Sequence, residues 1–362
     1  MADNFPDGFD GVDALEDYMT APDQALIDDL AAVDGDIVIL GVGGKMGPTL
    51  ARMAKRAAPG KNVVFMAGRK FGSSGSPNLT WAMNVHVPAI VAEAYRDSRI
   101  VAFSTGNVYP MVDIDGPHVT EETRPGAIGE YAQSCLGRER MFEFFSDKYG
   151  TPGRSIRLNY AIDMRYGVLW DIGSKVFAGD SINLTAGHAN VIWQGEANSR
   201  ILRCLRHCTA PVSPINITGP AQSVRDVAAA FGTIFGKQPV FEGVEDRKGW
   251  LVDASYSDEL LGPLQVPVDV MIGWLADWIS HGRENLNKPT AFDSLTTADS
   301  GRGYLLSTEI GWNQTEADWS YMLANGPGIG MTDEKGKLVA SAIALPYGSF
   351  GWVCMVLVAP DW

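Results

Sequence analysis

Asp36-Ile37-Val38-Ile39-Leu40-Gly41-Val42-Gly43-Gly44-Lys45-Met46-Gly47-Pro48 is the stretch that decides the fold. The apolar run Ile37 to Leu40, led in by Asp34-Gly35, reads as a buried strand. Glycines follow at once, and Pro48 to Ala58 then carries helical apolar spacing with basic residues towards its end, where they complement the helix dipole. The order is strand, glycine turn, helix. A pyrophosphate needs backbone close enough to touch and a helix N-terminus pointing at it, and side chains would block both. Gly41, Gly44 and Gly47 have GxxGxxG spacing, Gly43 adds a GxG opening, and Lys45 and Met46 complete the turn. A plain tight turn is the bland alternative. The placement between strand and helix favours a dinucleotide, NAD or NADP, with residues 41–47 as its contacts.

Outward from that turn, helices and short apolar strands alternate. Pro22 to Val33 reads as a short helix ahead of it, and Val63 to Met66, Arg99 to Ser104 and Ser155 to Leu158 read as strands after it. Helices are expected around Trp81 to Tyr95 and from Tyr131 to Tyr149. This alternation predicts an α/β fold with a mainly parallel, Rossmann-like sheet. After about Gly167 the rhythm turns irregular, with short strands at 191–193 and 215–217, which suits a small substrate lobe. The expected organisation is an acidic N-terminal segment and helix at 1–34, a dinucleotide-binding domain at 35–166, its substrate lobe at 167–288, a polar linker at 289–302 and a C-terminal piece at 303–362.

Composition narrows the partners. With 362 residues, 46% hydrophobic, the chain can bury two cores, and a formal net charge of −14 argues against nucleic acid or an anionic membrane surface. No secretory leader opens the sequence, and no apolar stretch reaches the ~18 residues of a membrane helix, so a cytoplasmic location and a small-molecule partner are expected. A homodimer is left open. Cys204-Leu205-Arg206-His207-Cys208 invites a metal, but the segment from Ala197 has helical spacing and no second ligand pair lies nearby, so no metal site is expected.

A second constellation is Ser104-Thr105-Gly106-Asn107-Val108-Tyr109 after an apolar strand, followed across a polar loop by Tyr131. It resembles the extended short-chain dehydrogenase/reductase family of NAD-dependent epimerases and dehydratases, and the resemblance runs from about 35 to 288. It implies that Thr105 and Tyr131 work on a substrate hydroxyl or carbonyl, with Tyr131 as acid/base also facing the cofactor. Val63-Val64-Phe65-Met66-Ala67-Gly68 is similar to the family's fourth strand, which places Ala67 and Gly68 beside the cofactor. Asn84 matches an active-site Asn, and Asn159, in Arg157-Leu158-Asn159-Tyr160, matches the strand that meets the nicotinamide. The implied activity is hydride exchange on a sugar-like or hydroxy/keto small molecule. A non-catalytic dinucleotide-binding protein is the alternative.

Two departures favour that alternative. The family's Lys four residues after the tyrosine is Cys135 here, and an unassisted phenol with a pKa of ~10 is a poor base near neutrality. Arg138 recurs on the same helical face and could stand in, although a solvated surface arginine is the expectation. Only fifteen residues separate Gly47 from Val63, too few for two further strands, so the cofactor lobe is expected to be shortened and to leave apolar faces uncovered. The competing assignment makes Val63 to Met66 the second strand, with Arg69 and Lys70 towards an NADP 2′-phosphate.

The C-terminal piece has another grammar: a helix at Trp312 to Leu323, a strand at Lys337 to Leu345 and a strand at Phe350 to Val358. With Gly311-Trp312-Asn313 and Gly336-Lys337-Leu338 it resembles the first half of a GNAT acetyltransferase, an α+β fragment without that family's anion-binding loop. A fused acyltransferase fragment without activity is the third expectation.

Overall fold

The computed structural model describes residues 5–41, 44–58, 61–65, 77–286, 290–333, 336–347 and 350–359. Helices α1 (Val12–Met19) and α2 (Gln24–Ala31) precede β1 (Asp36–Leu40), α3 (Gly47–Ala57) and β2 (Lys61–Phe65). Then come α4 (Val87–Ala94), β3 (Ile100–Phe103), α5 (Gly129–Tyr149) and β4 (Gly153–Leu158). Next follow α6 (Val168–Ala178), α7 (Gln194–Arg203), β5 (Ser213–Ile217), α8 (Val224–Phe235) and α9 (Val268–Ser280). The described residues form two compact units, 5–285 and 286–359.

The first unit is built on one parallel sheet in the order β1-β2-β3-β4-β5. Side chains alternate across it with the two-residue period of a strand. Val101 and Phe103 face Leu26, Leu30, Leu50, Met53 and Ile201 of α2, α3 and α7. Ile100 and Ala102 face Ala92 of α4 and Phe142 of α5. Strands buried on both faces explain the continuous apolar runs in the sequence.

The position of β2 decides between the two assignments of Val63. A second strand would lie outside β1, whereas β2 pairs with β1 at Val38↔Val63 and with β3 at Val63↔Ile100, the place of a fourth strand. Among the described residues β1 is therefore the sheet edge. Its exposure is the consequence: Val38 is 37% exposed. The expected uncovered face is nonetheless partly covered, because α2 lays Leu26 and Leu30 against Leu50 and Met53 of α3. Asp23, rather than Pro22, starts α2, its carboxylate accepting from the Leu26 N–H at 2.6 Å.

Two expectations about the lobe change. Strand β5 belongs to the main sheet and α7 to its helical layer, so 166/167 is not a layer boundary. A second core joins α6, α8 and α9 through Ile172, Phe231 and Trp278, and the N-terminal segment enters it: Phe9 packs on Trp274, whose Nε1 donates to the Pro6 carbonyl at 2.6 Å.

The second unit orders its strands β6 (Thr290–Leu295), β7 (Gly328–Thr332), β8 (Leu338–Tyr347) and β9 (Phe350–Val358) in one antiparallel sheet. Helices α10 (Ser300–Glu309) and α11 (Glu316–Asn325) lie between β6 and β7 in sequence. The stretch expected as a linker, 289–302, thus holds a strand and a helix start; its polar composition suits the capping box of Thr296 and Asp299. Trp319 is fully buried against Leu306, Leu338 and Ile343, and Gly303 admits it, since a Cβ there would meet the indole at 2.3 Å. In β9 the register shifts around Met355, whose φ is 50°, a bulge fixed by the Ser341 hydroxyl donating to the Met355 carbonyl at 2.8 Å.

Candidate functional site

The glycine turn sits where the sequence puts it, between β1 and α3. Gly41 adopts φ 84°, and the Gly47 N–H donates to the Gly44 carbonyl at 3.0 Å to start the helix. Met46 occupies the cap position and its side chain makes no cap hydrogen bond. Among the described residues a Cβ built on Gly44 would meet only the Gly41 carbonyl, at 4.0 Å, so none of them crowds that face of the turn. Lys45 leans out of the turn with Nζ 4.5 Å from the centre of the Tyr166 ring. Gly43, Ala67 and Gly68 lie outside the described residues.

The turn is held from behind by α7. Thr49, near the start of α3, accepts from Gln194 Nε2 and Asn198 Nδ2, each at 3.1 Å, while its own hydroxyl donates to the Met46 carbonyl at 3.0 Å. Helix α1 grips α3 from the side, with Arg52 on Glu16 and Arg56 on Asp17.

The hydroxyl pair forms at the end of β3. Thr105 is buried, with the Tyr131 phenol on the first turn of α5 close to it. Thr105 also accepts the Asn107 N–H at 3.2 Å and donates to Asn107 Oδ1 at 3.1 Å, which fixes its rotamer. Burial raises the Tyr131 phenol above its ordinary range and the Cys135 thiol adds to the rise; the Arg138 cation and the nearby Thr105 hydroxyl oppose it. The phenol is therefore protonated near neutrality.

Arg138 corrects an expectation. It is buried rather than solvated, and its guanidinium donates to the Phe103 carbonyl at 2.7 Å and to Asn84 Oδ1 at 2.7 Å. Asn84 lies in a π turn, Ala82–His86, fully buried, with Nδ2 donating to Ser134 Oγ at 2.9 Å. Its amide is thereby turned to Ser134 and Arg138.

Residue 139 grips the next position of the strand end. Glu139 accepts from the Ser104 hydroxyl at 2.5 Å and forms a buried bidentate pair with Arg157 of β4 at 3.0 and 2.7 Å. Arg157 also donates to the Tyr109 hydroxyl at 2.8 Å, which in turn donates to Asn216 at 2.9 Å. Helical spacing marked this face of α5, but nothing in the sequence shows what covers it.

Asn159 ends β4 beside the hydroxyl pair. Its Oδ1 is buried without a hydrogen-bond partner, and it occupies the place where a Cβ on Gly106 would meet it at 1.8 Å. Tyr160 follows with φ 21°, a strained conformation for a residue with a side chain. Gly106 was not singled out by sequence; only the contact explains it. Cys204 is buried and Cys208 half-buried, both free, and no cluster of three or more metal-ligating groups occurs among the described residues. Nor is any described helix long and apolar enough to cross a membrane.

No protein-family model matches the chain, and no curated protein sequence does. Solved structures do match. RMD from Pseudomonas aeruginosa, complexed with NADPH, is 16% identical with TM-score 0.58, over 68% of this chain and 99% of that one. The dTDP-glucose 4,6-dehydratase of Bacillus anthracis, in complex with NAD, is 14% identical with TM-score 0.58, over 68% and 97%. The UDP-glucose 4-epimerase of Thermus thermophilus, complexed with NAD, is 19% identical with TM-score 0.54, over 70% and 94%. This chain shares their fold. Two of these structural neighbours are a dehydratase and an epimerase, and the Rossmann-like parallel sheet expected from the sequence is the architecture found.

Proposed function

We propose that residues 35–285 form an NAD- or NADP-dependent reductase of the epimerase/dehydratase kind, acting on a carbonyl or hydroxyl of a small polar molecule. The observation that carries this reading is the placement of Tyr131 close to Thr105 at the end of β3, on the sheet that also carries the glycine turn. The residues present fit a dinucleotide at the turn, where the uncrowded Gly44 and the start of α3 suit a pyrophosphate.

A nicotinamide bound there would supply the hydride. The chain's own part is proton management and orientation: Thr105 and Tyr131 hold a substrate oxygen, and the Tyr131 phenol gives it a proton. The phenol, protonated near neutral pH, is in the form that can give a proton to a carbonyl oxygen as it is reduced. Residues 41–47 would hold the phosphates, with Lys45 as the nearest cation of the turn. A carbonyl-compound screen followed by loss of reduced-nicotinamide absorbance tests this. Turnover should vanish in Tyr131→Phe; turnover that survives it would remove Tyr131 from the role.

Cys135, buried next to Tyr131, favours a second reading in which the chain binds the dinucleotide without turnover. Stoichiometric binding with no activity in any screen, restored by Cys135→Lys, would select it. For residues 286–359, the order strand, two helices, three strands and the bulge at Met355 support a GNAT-like half-domain. Saturable acetyl-CoA binding would mark it as a working acyl site.

A further inference from the structure

When Tyr131 gives its proton to a substrate oxygen, the bonding electron pair stays behind and leaves a phenolate, and burial already works against that charge. Tyr131, Ser134 and Arg138 recur at i, i+3 and i+7 along α5 and so share one face of the helix. Long side chains on a helix lean towards its N-terminus, which carries the Arg138 guanidinium back over the turn that holds Ser134. Printed on that face is a continuous run of hydrogen bonds. The guanidinium donates to Asn84 Oδ1 and to the Phe103 carbonyl, each at 2.7 Å, and its Nε donates to the Asn84 carbonyl at 3.4 Å. Asn84 Nδ2 donates to Ser134 Oγ at 2.9 Å, and that hydroxyl donates to the Tyr131 carbonyl, also at 2.9 Å.

Arg138 is thereby tied to both elements that bring Thr105 and Tyr131 together. Phe103 stands two residues before Thr105 at the end of β3, and Ser134 belongs to the turn of α5 that Tyr131 starts. The guanidinium is 5% exposed, with Asn84 and Ser134 fully buried, so its field is weakly screened. It also stays charged at any working pH. The neighbouring groups do not supply a cation of their own. Cys135, one turn on from Tyr131, opposes ionisation of the phenol. Glu139 and Tyr109 are both bonded to Arg157, Glu121 accepts the Asn216 N–H, and Glu130 accepts from the Trp81 indole.

We propose, resting on the reductase reading above, that Arg138 is a positioning residue for proton transfer: fixed by Phe103 and Asn84, it holds a buried cation beside the first turn of α5 and steadies the phenolate that Tyr131 becomes. Replacing Tyr131 in the full chain by a difluorinated tyrosine tests this, because fluorine makes the phenol more acidic and fluorine NMR reports its ionisation. The apparent pKa of that phenol should rise by about one unit or more in Arg138→Gln, which keeps a donor for Asn84 Oδ1 and removes the charge. Arg138→Lys, which keeps the charge, should bring it most of the way back. If Arg138→Gln does not fold, the nearly isosteric Asn84→Asp offsets the cation in place and should give a rise of the same sign. A purely structural arginine would lower stability and leave the titration where it was. An unchanged pKa in the folded variant, or a rise that Arg138→Lys fails to reverse, overturns the proposal. Turnover is read separately: a chain that reduces no carbonyl compound defeats the reductase reading, while the phenol titration still judges Arg138.

Discussion

The two sides of the parallel sheet are built to different standards. Around β3 and β4, helix α5 inserts Arg138 and Glu139 at successive positions, fastening Phe103, Ser104 and Arg157 with buried, charge-assisted bonds that hold Thr105 beside Tyr131. Around β1 the sheet simply stops, its edge half-exposed, and the glycine turn is steadied from behind by α7 and from the side by α1. In physical terms the end of β3 is over-determined, and the β1 side keeps its glycine turn with no strand beyond β1 among the described residues. The difference teaches that two ends of one sheet can be supported to different degrees.

The contrast can be broken experimentally, starting in the interior. Glu139→Ala leaves the buried Arg157 uncompensated and should lower unfolding stability by about 3–5 kcal/mol in urea. A loss below 1 kcal/mol, roughly the worth of an exposed pair, would mean that the pair is solvated. Gly106→Ala pushes a methyl into Asn159 Oδ1 and should cost about 1–3 kcal/mol, read the same way. At the other side, Val38→Lys on the β1 edge should change stability by no more than about 0.5 kcal/mol. A large loss there would show that β1 is covered, contrary to the comparison. The smallest effect is expected at Cys204 and Cys208, whose thiols are pushed up to about 12 by burial. Both stay protonated until the pH approaches that value, so iodoacetamide at mildly alkaline pH should leave them unmodified in the folded protein, as mass spectrometry of the two peptides would report.

Much of the interior was legible in the sequence. The apolar runs of β1 and β3 foretold the sheet, and the short path from Gly47 to Val63 foretold that the Val63 strand would lie between them. What the sequence withheld depends on who covers whom. Arg138 lies on the right helical face, yet only the fold brings Phe103 and Asn84 over it. Leu26 and Leu30 look like any short amphipathic helix until they close over α3. Thr290 to Leu295 hid behind a polar, turn-rich composition that reads as loop, and its pairing with β7 is non-local. Asn159 and Trp250 are distant in sequence and meet through the bond from Asn159 Nδ2 to the Trp250 carbonyl.

The central claim is that the turn at residues 41–47 still holds a dinucleotide. Calorimetric titration of NAD and NADP into the full chain and into Gly44→Val tests it most directly, because the space around Gly44 lets the variant fold while adding bulk to the turn. The account predicts saturable binding of one dinucleotide per chain in the natural protein and its loss in an equally stable Gly44→Val. No binding by the natural protein, or equal binding by both, would contradict it.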